Sequence, residues 1–197
     1  MSDAGIGRLL ISSLHQGISD VAPTRLEFYE NWLSPTGMRD GRIGLAPLGA
    51  VLSFLHREEP PTNEQIAARA GTCAADWTFA GVSSMGRWFI KRMPTGLRVR
   101  SAMNLLRRLA KATIRQSKVK SAVRSTGGSV EIRSAAFEQL RDPASIPMRD
   151  FYAAALQRLL LHCAVDAEVG AGSATDAGWS LTVTVRSTRR VEAADAV

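Results

Sequence analysis

The sequence predicts an α/β (α+β) fold, a helical N-terminal half followed by a small antiparallel sheet flanked by helices. Three observations predict it. Apolar residues recur at helical spacing from Ile6 to Ile114. Val119, Ser121 and Val123 alternate with Lys118, Lys120 and Arg124, and past Gly127-Gly128 the residues Val130 and Ile132 alternate with Glu131 and Arg133. Period-two alternation on both sides of paired glycines is the pattern of a hairpin. Near the C-terminus Trp179, Leu181, Val183 and Val185 alternate with Ser180, Thr182, Thr184 and Arg186, which predicts a last strand.

In chain order, residues 6–18 read as a first helix, with Ile6, Leu9, Leu10, Leu14 and Ile18 on one face. Residues 24–33 read as a second, short helix whose Phe28, Tyr29 and Trp32 are core, and Ser34-Pro35-Thr36-Gly37 ends it. Residues 45–56 form a third, with Leu48, Val51, Leu52 and Leu55 as its stripe. Thr62 and Gln65 have the spacing of a capping box for a helix over 63–70, and Gly71 is placed to stop it. Residues 72–79 can resume as helix, and in 81–92 the side chains of Met85, Trp88 and Phe89 are expected to pack. Met93-Pro94-Thr95-Gly96 breaks the chain before 97–114, the clearest amphipathic helix. There Met103, Leu106, Leu109, Ala110 and Ile114 claim the buried face, leaving Arg100, Asn104, Arg107, Arg108, Lys111 and Arg115 on the other. Lys118–Arg124 is expected to pair with 129–137 through a turn at Gly127-Gly128. A helix over 148–163 carries Tyr152, Leu156, Leu159, Leu160 and Cys163 on one face, and 187–197 is a loose tail.

At 197 residues, 45% hydrophobic and 22% charged, the chain suits one domain with a real core. It has no long apolar run for a membrane span and no signal-peptide start. Its two cysteines, Cys73 and Cys163, offer no disulfide framework, so the cytoplasm is the expected compartment. The formal charge of +7 is concentrated: residues 77–130 hold 12 Lys or Arg and no Asp or Glu, whereas the remainder holds 13 basic and 18 acidic residues. Such a segment attracts anions. Arg100, Arg107, Arg108, Lys111 and Arg115 are the candidate partner-binding residues, for an acidic protein or an anionic membrane surface. Nucleic acid fits less well, because no aromatic is interleaved with those cations on the helix.

No catalytic site is legible. His15, His56 and His162 fall on three separate predicted helices, so no metal site is expected. Gly81-Val82-Ser83-Ser84-Met85-Gly86 is not a nucleophile elbow, and no phosphate-cradling glycine motif occurs. Asp142, Asp150 and Asp166 give no paired-carboxylate spacing, and Asp150 suits the first turn of its helix. No cofactor can be named.

Gly41-Arg42-Ile43-Gly44 leading into an apolar helix resembles the start of the 4-vinyl reductase domain family. The stretches 129–137 and 147–155 resemble that family's strand, loop and helix, and a closing hairpin follows. The resemblance covers 41–186, with 1–40 as an N-terminal helical extension. It implies an α/β fold related to transport-particle subunits that hold an acyl chain and to haem-nitric-oxide-binding domains. The family is named for bacteriochlorophyll biosynthesis, many members are small-molecule sensors, and a homodimer is implied. Cysteines common in members fall near Glu138, Arg149, Gly172 and Trp179, none of them cysteine here, so no thiol or metal role carries over. The leading expectation is non-catalytic binding of an apolar or amphipathic ligand between helices and sheet, with Phe137, Phe151, Tyr152, Leu156 and Trp179 lining the site. The alternatives are a tetrapyrrole-directed protein of bacteriochlorophyll synthesis, or an adaptor that docks through the basic helix.

Overall fold

In the computed structural model, residues 6–30, 45–58, 60–124, 127–134, 146–175 and 178–186 are described. The chain runs through α1 (Arg8–Val21), a 3₁₀ turn (Pro23–Arg25), α2 (Leu26–Glu30), α3 (Leu45–Glu58), α4 (Pro60–Ala80), α5 (Ser84–Arg92) and α6 (Thr95–Thr113). The hairpin β1 (Lys118–Arg124) and β2 (Gly127–Arg133), α7 (Ile146–His162), β3 (Ala167–Thr175) and β4 (Gly178–Val185) complete it. The helical half and the antiparallel sheet are those expected. Phe137, Trp32 and the tail 187–197 lie outside the described residues.

The strands are ordered β1-β2-β4-β3, every neighbouring pair antiparallel. Because successive side chains alternate faces, Val130 and Ile132 of β2 and Trp179, Leu181 and Val183 of β4 turn inward and are buried. Lys118, Lys120 and Arg124 of edge strand β1 turn outward and are exposed. Charge along an edge strand discourages pairing with another chain. Helices α6 and α7 cover the inner face, and α1 crosses α4 and α6. Leu10, Leu14 and Ile18 of α1 belong to the same core as Leu106, Leu156 and Leu181. Ahead of α1, Ile6 bridges Ile114, and the Gly7 N–H donates to the Thr113 carbonyl at 2.7 Å.

Two glycines act differently from expectation. Gly71 does not stop a helix; α4 runs unbroken from Pro60 to Ala80. An ideal Cβ at Gly71 would lie 2.1 Å from the Phe151 carbonyl oxygen, so glycine there lets α4 and α7 approach. The capping box fails for the same reason: Thr62 lies inside the first turn, not ahead of it. Gly127 and Gly128 are strand residues rather than the turn. They pair with Arg124 and Val123 on one side and with Thr184 and Val183 on the other. A Cβ on Gly127 would meet the Val183 carbonyl oxygen at 2.1 Å, so the constraint comes from β4, the distant strand.

The end of α7 is a Schellman motif. The Ala164 N–H donates to the Leu161 carbonyl and the Val165 N–H to that of Leu160, both at 2.9 Å. Ala164 takes φ 56°, the left-handed position usually given to glycine. Arg98 of α6 donates to the Ala164 carbonyl at 2.6 Å and closes this corner. Helix α7 begins at Ile146, which puts Asp150 one turn in, where it pairs with Arg149 at 3.2 Å rather than sitting in the first turn.

Candidate functional site

Helix α5 is where the structure departs furthest from the sequence reading. Ser83 caps it, accepting from the Gly86 N–H at 3.2 Å. None of its residues is fully buried. Val82 and Ile90 rest against the core, and the side chains expected to pack instead face outward: Met85 is 80% exposed, Trp88 55% and Phe89 57%. Positions 85, 88 and 89 are spaced i, i+3, i+4, so they form one stripe along the helix. The Arg92 guanidinium lies 4.4 Å from the Trp88 ring centre, within cation–π range. Leu97, just after the Pro94 corner, is 47% exposed.

The basic helix behaves mostly as expected. Met103, Leu106, Leu109, Ala110 and Ile114 are buried, and Arg100, Arg108, Lys111 and Arg115 are exposed. Arg107 is only half-exposed, because its guanidinium reaches Asn104 at 3.5 Å and Ser121 of β1 at 3.4 Å. Arg115 lies past the end of the helix, in a turn. The ion pairs among the described residues, such as Arg69–Asp20, Arg158–Asp76 and Arg186–Glu168, all use cations outside 77–130. Arg100, Arg108 and Lys111 therefore stand without a carboxylate among the described residues.

The core residues named as ligand-lining come together, but as packing. Phe151, Tyr152 and Leu156 have no exposed surface and Trp179 is nearly closed off. The Tyr152 ring lies 5.2 Å from Phe151 and 6.2 Å from Trp179. The Tyr152 and Thr113 hydroxyls share a hydrogen bond of 2.7 Å, and burial drives the phenol far above its usual range. A cavity of about 20 Å³ lies elsewhere, between α2, α3 and α4, with room for about one water. Tyr29, Phe54, Leu55 and Ile66 wall it, with Arg25 and Asn63 as polar members. Asn63 is buried, and its Oδ1 has no hydrogen-bond partner among the described residues.

His162 is not alone. Its Nε2 lies 2.5 Å from Asp76 Oδ1, which also accepts from Arg158 Nε at 2.7 Å. The Phe79 ring stacks on the imidazole, 4.5 Å between centres and 7° from parallel. Burial pushes the Asp76 carboxyl up, but the hydrogen bonds from Arg158 and His162 outweigh it and hold it below its ordinary value. Sequence spacing misses this cluster, because Asp76 and His162 are 86 positions apart; only the packing of α4 on α7 joins them. Burial pushes the thiols of Cys73 and Cys163 up, Cys163 to about 11, so both remain protonated at neutral pH. No group of three metal-ligating side chains occurs among the described residues, and no helix among them is long and apolar enough to cross a membrane.

No family model matches the chain, and neither the curated proteins nor the solved structures contain a match.

Proposed function

We propose that this protein is a non-catalytic docking module whose basic sector binds an anionic partner. The observation that carries this is the set of exposed cations on α6, Arg100, Arg108 and Lys111, with no carboxylate paired to them among the described residues and no acidic residue in the sequence from 77 to 130. Like charges held on one rigid face repel one another, so an anionic partner is attracted and also relieves that repulsion. The test is retention on a heparin matrix in a salt gradient. The wild type is expected to elute late, and the charge-reversed Arg100→Glu, Arg108→Glu protein markedly earlier with its circular dichroism unchanged. Equal elution of the two proteins would end this reading.

A second reading is retention of a small apolar ligand, as the resemblance to the 4-vinyl reductase domain family implies. Its support is the order hairpin, helix, hairpin that the resemblance predicts for a ligand-holding domain. Ligand sites combine apolar walls with a few orienting polar groups. Native mass spectrometry of freshly purified protein is expected to show an added small-molecule mass. An unliganded wild-type mass would remove this reading and leave the first intact.

A further inference from the structure

We infer that the outward face of α5 is a membrane-docking face, which lies in the surface of a bilayer containing anionic phospholipid with Met85, Trp88 and Phe89 inserted among the acyl chains. This rests on the docking reading above and names the partner.

The stripe is large, contiguous along one helix and open to solvent. Apolar patches of that kind on soluble proteins mark interaction sites. Helix α5 is about 14 Å long at the usual rise per residue, too short to span a bilayer but suited to lie on one. Its composition follows interfacial helices, with Trp and Phe on one face and cations beside them. Arg87 and Lys91 fall on the flank between the apolar stripe and the core-facing line, as their 100° steps around the helix require. Arg92, packed over Trp88, borders the stripe itself. Trp, Arg and Lys are residue types that settle at headgroup depth, with the apolar body below and the polar tip above.

Two other occupants fit less well. A second copy of this chain on the same face would bring Arg87, Lys91 and Arg92 of each molecule together with no acid in the segment to offset them. A nucleic acid would satisfy the cations but leave Met85 and Leu97 wet. A bilayer with anionic headgroups accepts both halves of the face at once. Leu97, at the start of α6, is exposed as well.

The test uses the full chain in flotation with vesicles of phosphatidylcholine alone and of a phosphatidylcholine–phosphatidylserine mixture, at low and high salt. Duplex DNA and polyglutamate serve as non-lipid anions. Binding is expected on the mixed vesicles and not on phosphatidylcholine alone, and weaker in high salt. Neutralising Arg87 or Lys91 is expected to lower it about fivefold each. The double substitution Trp88→Ser, Phe89→Ser, at positions more than half exposed, is expected to lower it at least about tenfold with circular dichroism unchanged. Lipids brominated on the acyl chain should quench tryptophan emission in the wild type and much less in Trp88→Phe, which keeps the apolar bulk. Binding that survives the double substitution with no quenching overturns insertion and leaves the docking reading standing. Binding to DNA or polyglutamate but to neither vesicle overturns the lipid inference alone. Binding to none of the four overturns both.

Discussion

Gly71 on α4 faces the carbonyl oxygen of Phe151 on α7 so closely that a Cβ would come within 2.1 Å of it. The two helices pack extensively on one another, and Gly71→Ala must push them apart. Overpacking of this kind costs about 1–3 kcal/mol, more than the roughly 1 kcal/mol that alanine gains as a helix former. Urea unfolding should therefore show a net loss for Gly71→Ala. Gly96→Ala, where an added Cβ would meet nothing within 4 Å beyond its own helix, is the control and should be neutral or slightly stabilising. A Gly71→Ala protein as stable as the wild type would mean that the seam yields freely.

Ala164 is the opposite case, a side chain where glycine belongs. Its φ of 56° costs an L-residue about 1–2 kcal/mol, and glycine gives back part of the difference through its freer unfolded chain. Ala164→Gly should raise stability by up to about 1 kcal/mol. A rise in the urea midpoint at unchanged slope is the expected record; a fall would show that the methyl group packs usefully.

Stability should decline in alkali. Cys163 is held protonated by burial up to about 11 against an ordinary 9.0. Between those values the unfolded chain has released a proton that the folded chain keeps, so stability falls as pH rises through the window. The loss is about 2 kcal/mol by the end of it. Tyr152, displaced in the same direction, adds to the fall from its ordinary 10.0 upward. Chemical denaturation from pH 8 to pH 11 should show a steeper decline for wild type than for Cys163→Ala. Parallel profiles would rule out Cys163 as the source.

Asp76 clamps α4 to α7 through Arg158 and His162. Its carboxyl lies below its ordinary 3.8 in the folded protein, so the contribution is complete above that value and disappears as pH falls through the lower folded one. Because the group is about one-third exposed, solvent screens it, and Asp76→Asn should cost only about 0.5–1 kcal/mol near neutral pH. Below pH 4 the wild type should lose stability faster than the variant. Identical acid profiles would assign no net stabilisation to the clamp.

Much of the architecture was determined by the sequence alone, because it rests on short-range periodicity. The stripe of Met103, Leu106 and Leu109 and the alternation around Val130 and Leu181 each specify a face within one element, and each was buried as expected. The exposed cations Arg100, Arg108 and Lys111 were legible for the same reason: the apolar residues of their helix claim the other side. Strand β3 gave little signal, since its Ala- and Gly-rich run does not alternate strongly and its place is set by pairing with β4. Tertiary structure decided whatever depends on a distant neighbour. Gly71 looks like a helix stop until α7 lies against it, and Gly127 looks like a turn until β4 pairs with it. His162 looks isolated until α4 brings Asp76 to it. Trp88 and Phe89 have the composition of core residues, and only the placement of α5, held by Val82 and Ile90 on its other side, leaves them in solvent. Apolarity is a property of a residue, but burial is a property of the surface opposite it, and no local pattern states whether that surface exists.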